Sequence, residues 1–229
     1  MNADEAIAAL RAHADPERAA GMASYHKADR EYLGLSNAIT GDLATGWRKE
    51  AADQAALVAL AQGLWDTDVF EARVAAGKLF VQARMRPDDV IAWEWITSAV
   101  AQFDSWAIAD AVAQGGQKRL AQDPTRLDLL EEWTRSEHMW TRRAAFVFAL
   151  PFVKSRHPND VEKAARGRVL GWADALAEDH EWFIQKAIAW WLRDLSKRDP
   201  EATRGWLDAH GARLKPFARK EAARYLDVS

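Results

Sequence analysis

The sequence predicts an all-α protein, built as a curved solenoid of antiparallel helix pairs. Apolar residues recur with the helical period in nearly every segment, and strand-like alternation is almost absent. Aromatic residues also recur at Phe70, Trp106, Trp140 and Phe183, with spacings of 36, 34 and 43 residues. Helix pairs that recur every ~35–45 residues are typical of HEAT-like repeats, in which each pair buries its apolar face by stacking on its neighbours.

Helix boundaries follow from the residues that separate the apolar segments. The sequences Arg86-Pro87-Asp88-Asp89 and Asp199-Pro200-Glu201 place proline and acids in a first helical turn. We expect Asp104 to cap the helix that carries Trp106, and Gly115-Gly116 to end it. No linker rich in proline or serine divides the chain, so residues 1–229 are expected to form a single domain. The predicted helices span residues 3–13, 16–26, 36–49, 52–64, 68–84, 88–100, 105–114, 124–134, 138–153, 159–177, 180–197, 199–209 and 215–226.

The composition fits a soluble globular protein, with 49% apolar and 28% charged residues. The chain has no cysteine, which excludes disulfides and cysteine-metal sites. The acidic start MNADEAIAAL does not resemble a signal peptide. No apolar run reaches the ~18–20 residues that a membrane span requires. We therefore expect a cytoplasmic protein that does not contact membranes.

The charge is unevenly distributed, although the net charge of −3 does not by itself favour nucleic acid. Residues 1–114 hold 10 Lys and Arg against 17 Asp and Glu, whereas residues 115–229 hold 21 against 17. Such an asymmetry indicates either a polyanion-binding face in the second half or an ordinary solvated surface of mixed charge.

The segment SWAIAD contains the first candidate site. On a helical wheel Ile108 and Val112 form one apolar stripe, and Trp106 and Asp110 project away from it. A carboxylate beside an aromatic ring, on a face that the core does not use, can stabilise a cationic transition state or position a water molecule. The alternative is a solvated aspartate. Most of the twelve tryptophans are expected to be core residues.

The second candidate lies in WFIQKAIAWWLRDL. Trp191 falls on the apolar stripe of this helix, but Trp190 projects to its edge beside Lys186 and Arg193. A tryptophan flanked by cations suits contact with sugar and phosphate. The same pattern also fits a tryptophan that shields the boundary between two repeats.

Arg142 and Arg143 begin a helix that is otherwise apolar nearly all round, and they are the third candidate. They can reach a phosphate or form ion pairs with nearby glutamates such as Glu131, Glu132 or Glu137.

Other chemistries lack their motifs. None of the six histidines forms an i, i+4 zinc-binding pattern with acids, and Gly115-Gly116 is not followed by the Lys-Ser/Thr of a phosphate loop. A Gly-x-Ser-x-Gly elbow is also absent. An enzyme with this sequence is expected to work without a metal or a nucleotide cofactor.

Five segments together resemble the HEAT-like-repeat DNA alkylation-repair glycosylases of the AlkD type. They are YHKADREYLGL at 25–35, SWAIAD at 105–110, WTRRAAFV at 140–147, FIQKAIAWWLRDLSKRDP at 183–200 and KPFARKEAARYL at 215–226. The resemblance implies a curved stack of helix pairs that holds duplex DNA and acts as a monomer. It also implies metal-independent removal of cationic bases such as 3-methyladenine and 7-methylguanine.

Site residues are carried over from this family by position. The resemblance implies that Trp106 and Trp190 contact the deoxyribose of the damaged nucleotide. It also implies that Asp110 stabilises the developing oxocarbenium ion and orients the attacking water. Arg143, with Arg142, would hold the backbone phosphate.

The resemblance further implies that Tyr25 lies near the same site. Lys186 and Arg193 are expected to bind DNA beside Trp190. Two other functions fit a helical array of this kind: a DNA-binding protein without catalytic activity, and a protein-interaction scaffold. A DNA binder should lose affinity steeply as salt rises, and a scaffold should show no such affinity.

Overall fold

A computed structural model describes residues 1–226, and this part of the chain contains thirteen α-helices and three short 3-10 helices. The described residues form no strand beyond one isolated bridge, between Glu31 and Val69. None of the described helices is long and apolar enough to cross a lipid bilayer. The predicted all-α class is confirmed. The helices are α1 Ala3–Arg11, α2 Pro16–His26, α3 Asn37–Glu50, α4 Gln54–Trp65, α5 Phe70–Lys78, α6 Val90–Val100, α7 Trp106–Gln122, α8 Leu127–Trp133, α9 Met139–Phe148, α10 Asp160–Ala175, α11 Trp182–Ser196, α12 Pro200–His210 and α13 Pro216–Ala222.

Several helices start where short polar side chains cap them. The Asp199 carboxylate accepts a hydrogen bond from the backbone N–H of Ala202, and Pro200 is the first residue of α12, as the sequence predicts. Asn159 and Glu162 form a reciprocal capping box at the start of α10. These local signals are the reason why helix starts could be placed within a residue or two.

Two features around α7 differ from the prediction. The helix does not end at Gly115 but continues to Gln122. Gly115 is buried, and a Cβ there would lie 3.0 Å from the Cβ of Phe80 and 3.2 Å from Cδ1 of Ile96. This glycine therefore allows close packing inside a helix. At the start of α7 the Ser105 hydroxyl accepts from the backbone N–H of Ala107, at 3.4 Å.

Asp104, which was expected to cap α7, binds Arg30 instead. Nε of Arg30 donates to Oδ2 of Asp104 at 2.7 Å, and another guanidinium nitrogen lies 3.1 Å from the Asp68 carboxylate. The predicted helix 68–84 is also shorter in the structure, where α5 ends at Lys78.

The described residues form two compact units, residues 1–119 and residues 120–226. In the first unit α5 packs on α3 and α4, and α4 also packs on α1 and α6. Trp65 of α4 is 1% exposed, and its ring meets that of Trp95 edge to face at 5.6 Å. The core of this unit therefore forms around α4 and α5.

In the second unit α11 is the central helix, packing on α9, α12 and α13. Residues 143–150 are buried without interruption, as expected for a helix that is apolar nearly all round. On α11 the side chains of Ile184, Ile188, Trp191 and Leu195 are all buried. The predicted apolar stripe of this helix is confirmed.

Fewer tryptophans are core residues than the composition suggested. Six of the twelve are buried, and the exposed fraction of Trp182 reaches 50%. Several of the remainder are half-buried and lie at helix starts or edges. Their rings are available to form the walls of surface clefts.

Candidate functional site

The recurring aromatic residues occupy equivalent places in the fold. Phe70 and Trp106 are the first residues of α5 and α7, and Trp140 and Phe183 are the second residues of α9 and α11. Every second helix from α5 to α11 therefore carries an aromatic ring at its first or second position. The repeat that was inferred from spacing alone is confirmed.

The first two of these rings line a cavity of about 420 Å³ in the first unit. Its walls come from α2, the start of α3, α5 and α7. A cavity of this size, with mixed aromatic and polar walls, has the properties of a ligand site. The polar and aromatic side chains that line it are Arg18, Tyr25, His26, Ser36, Asn37, Thr40, Phe70, Glu71, Trp106, Asp110 and Gln114.

Trp106 and Asp110 project into this cavity from one face of α7. Ile108 and Val112, on the opposite stripe, are both 0% exposed, whereas Trp106 and Asp110 are half-buried. The helical-wheel prediction for these four positions is confirmed. A single turn of α7 thus presents an aromatic ring and a carboxylate to the same space.

Two residues at the end of α2 hold the indole of Trp106. The Tyr25 ring meets it edge to face at a centroid distance of 5.9 Å, and Tyr25 itself is 70% exposed. The His26 ring lies 5.2 Å from it. Tyr25 therefore lies beside Trp106, as the resemblance implied, and its exposed ring remains able to contact a ligand.

His26 was not identified from the sequence. Its imidazole is surrounded by the rings of Tyr25, Tyr32, Phe70 and Trp106 and lies 4.6 Å from that of Phe70. Burial lowers the pKa of His26, and the nearby Glu71 carboxylate partly opposes this effect by raising it. The titratable groups around this imidazole are Tyr25, Tyr32 and Glu71. Because its pKa is lowered, the His26 imidazole favours its neutral form.

Glu71 is the second residue that sequence reasoning missed. It is only 2% exposed, and its carboxylate accepts three backbone N–H bonds, from Leu33, Gly34 and Leu35 at 3.0, 2.8 and 3.2 Å. The carboxylate thus fixes the turn that leads into α3 and the cavity wall. The signal in the sequence was an acid inside the otherwise apolar start of α5, FEARVAA.

Gly34 is required at the centre of this turn. Its φ is +85°, and a Cβ at this position would lie 2.0 Å from the backbone oxygen of Asp15. Only glycine adopts such a conformation readily and leaves room for this contact. The Leu-Gly segment of the sequence is thereby explained by geometry.

The charges around the cavity favour a cation. Two carboxylates, Glu71 and Asp110, and one cation, the exposed Arg18, belong to its lining. The aromatic faces add negative electrostatic potential, which attracts cations. A phosphate group is disfavoured at this position by the same charges.

In the second unit Trp190 is half-buried and Trp191 is 1% exposed, so their predicted difference is confirmed. The Trp190 Nε1–H donates to Oδ2 of Asp194 at 3.1 Å. Lys186 and Arg193, on the same helix, both bind the carboxylate of Glu221, which the sequence analysis had not connected with them.

Arg142 forms an ion pair, which was one of the two alternatives for it, but with Asp179 rather than with one of the named glutamates. Its Nε donates to Asp179 at 3.0 Å, and a terminal nitrogen donates to the backbone oxygens of Ser136 and Glu137. Arg143 is 5% exposed, and its guanidinium lies 5.8 Å from the Trp140 ring. Both arginines are thus part of the packing around the start of α9, and phosphate contact by them remains a prediction.

Within residues 1–226 no group of three or more His, Asp and Glu side chains is placed to hold a metal ion. Among the residues that line the cavity, Asp110 and His26 are the foremost candidates for acid-base and electrostatic chemistry.

The structure thus defines an all-helical repeat protein in which two of the recurring aromatic residues line a cavity that also contains carboxylates. The chain belongs to the DNA alkylation repair enzyme family, whose model matches residues 6–226. It is similar to the structure described as a predicted DNA alkylation repair enzyme from Enterococcus faecalis, with 25% identity and a TM-score of 0.77 over 94% of this chain and 98% of that one.

Two structures from Streptococcus mutans share the fold at 20% identity. AlkD2 aligns with a TM-score of 0.62 over 84% of this chain and 91% of its own. The protein smu.31 of strain UA159 aligns with a TM-score of 0.61 over 82% of this chain and 92% of its own. No curated protein sequence matches the chain significantly.

Proposed function

We propose that this protein is a monofunctional DNA glycosylase of base excision repair. It hydrolyses the N-glycosidic bond of cationic N3- or N7-alkylated purines, such as 3-methyladenine and 7-methylguanine, in duplex DNA. Membership of the DNA alkylation repair enzyme family supports the general activity. The observation that carries the specific proposal is the placement of Trp106 and Asp110, one turn apart, in the same aromatic cavity.

The chemistry of a cationic base explains why this simple site is sufficient. When the bond between C1′ and the base nitrogen breaks, its electron pair leaves with the base, which becomes neutral. Positive charge then develops on the deoxyribose. An oriented carboxylate and aromatic faces stabilise such a cation, because they act where the charge appears.

Asp110 has two roles in this scheme. Its carboxylate stabilises the oxocarbenium ion, and it orients a water molecule whose oxygen bonds to C1′. The carboxylate then accepts the proton that this water loses, which leaves an abasic deoxyribose and a free base. Trp106, supported by Tyr25 and His26, provides the aromatic face. Contact of Trp190 with DNA, which the resemblance implied, remains a prediction.

The test is release of methylated bases from duplex DNA by wild type and Asp110→Asn. We expect the substitution to reduce the rate about a hundred-fold or more, since oriented electrostatic groups contribute effects of this size. Asp208→Asn, the same change on the exposed face of α12, is the matched control and should retain full activity.

Two outcomes would contradict the proposal. Undiminished release by Asp110→Asn would place the catalytic centre elsewhere. An absence of release by folded wild type that still binds DNA would identify a binding protein on this scaffold. Salt-dependent affinity for the duplex separates that result from a protein-interaction scaffold.

A further inference from the structure

A second cavity, in the unit formed by residues 120–226, has the opposite charge character. It has a volume of about 1060 Å³ and lies between α11, α13 and the chain segment that leads into α13. Glu221 is the one carboxylate among its described lining residues. Five cationic side chains line it, Lys186, Arg193, Arg219, Lys220 and Arg224.

Glu221 neutralises two of these cations at once. Its Oε1 accepts a hydrogen bond from a terminal nitrogen of Arg193 at 2.6 Å, and its Oε2 binds Nζ of Lys186. The Glu221 side chain is 16% exposed, so this three-membered ion cluster is partly withdrawn from water. Partly buried ion pairs of this kind are screened less by salt than surface pairs.

The other three cations are exposed at the rim. Arg219, Lys220 and Arg224 lie on α13 and in the turn that follows it. Their charges add to a positive potential that attracts polyanions and orients them before contact. The side chains of Lys186 and Arg193 are 39% and 22% exposed, so an anion that enters the cavity can reach both in competition with the carboxylate of Glu221.

We propose that this cavity binds phosphates of the DNA backbone, and that Glu221 competes with those phosphates for Lys186 and Arg193. The proposal rests on the DNA binding that the proposed function requires. Arg219, Lys220 and Arg224 supply the attraction, and the carboxylate lowers the affinity for any duplex that approaches. Glu221 thus limits retention on undamaged DNA, where no alkylated base adds to the binding energy.

The experiment measures fluorescence anisotropy of a labelled, unmethylated duplex at several salt concentrations. Each phosphate contact contributes about 0.9 to the slope of log affinity against log salt. Lys220→Gln and Arg224→Gln should each reduce this slope by about one and weaken binding at low salt, and their difference in affinity from wild type should shrink about three-fold for each four-fold rise in salt. Glu221→Gln should bind more tightly, with a slope steeper by about one, because Lys186 loses its carboxylate partner whereas Arg193 keeps Asp194 at 3.4 Å.

Lys163→Gln, an exposed change on α10 outside the cavity, is the control. Inorganic phosphate, added as a competitor at constant ionic strength, should displace little duplex if the site binds several linked phosphates of a polyanion. Displacement of the duplex at low phosphate concentration would instead identify a site for single phosphate groups and overturn the proposal. Lys220 and Arg224 are exposed, so their variants remain informative even where Glu221→Gln does not fold.

Unchanged slopes in folded Glu221→Gln, Lys220→Gln and Arg224→Gln would overturn the proposal. Base release from a methylated duplex is measured in parallel, which separates the two hypotheses. Base release together with unaltered salt slopes would support the glycosylase function and refute phosphate binding in the cavity. Salt slopes that change as expected in the variants, without base release, would support phosphate binding and refute the glycosylase function.

Discussion

Replacing Glu71 by glutamine tests whether one buried carboxylate holds the wall of the candidate site. In the structure Oε1 accepts from Gly34 and Leu35, and Oε2 accepts from Leu33. If the amide oxygen of Gln takes the place of Oε1, its NH₂ group faces the Leu33 N–H. That donor is then buried without an acceptor, at a cost of about 1–3 kcal/mol.

The two remaining bonds would also weaken, because they no longer involve a charge. Hydrogen bonds to charged groups contribute about 1.5–3 kcal/mol against about 1 kcal/mol for neutral ones. We therefore expect Glu71→Gln to lower the free energy of unfolding by at least about 2 kcal/mol in total.

Urea denaturation followed by far-UV circular dichroism measures this change. Glu94→Gln, on the exposed side of α6, is the matched control and should alter stability by less than about 0.5 kcal/mol. A loss below about 1 kcal/mol for Glu71→Gln would refute the reasoning, because it would mean that the turn at residues 33–35 does not depend on the carboxylate.

Two further substitutions test the same region. Because burial lowers the pKa of His26, the unfolded chain, with a value near 6.5, takes up the proton more readily than the folded one. Wild type should therefore be destabilised relative to His26→Gln as the pH falls from about 7.5 to 5.5, and equal shifts in melting temperature would contradict this. Gly34→Ala should cost at least about 1–2 kcal/mol, since its φ of +85° and the Asp15 oxygen exclude a Cβ. Gly21→Ala, where a Cβ meets nothing within 4 Å, should instead be neutral or stabilising by about 0.5–1 kcal/mol, and a loss as large as that of Gly34→Ala would contradict the argument.

Local periodicity was sufficient to predict much of the fold. The all-α class, the aromatic repeat and the difference between Trp190 and Trp191 depend on which side of a helix a residue occupies. That information repeats every 3.6 residues and can be read from the sequence. The opposite orientations of Trp106 and Ile108 follow in the same way.

Long-range contacts could not be predicted by this route. Glu71 binds a turn 36–38 residues before it, and Glu221 binds cations 28 and 35 residues before it. Such pairings depend on how helices stack, which periodicity does not encode. The end of α7 was predicted wrongly for the same reason. Sequence rules place a helix end at a glycine such as Gly115, but close packing against Phe80 and Ile96 requires Gly115 inside this helix.

Gly77 has a consequence for how the candidate site moves. A Cβ at this position of α5 would lie 2.6 Å from the backbone nitrogen of Val112 on α7, so the two helix backbones nearly touch. Any displacement of one helix must therefore displace the other, and Phe70 and Glu71 are mechanically coupled to Trp106 and Asp110. The cavity is expected to be preorganised on this side, with little reorganisation energy when charge develops in it.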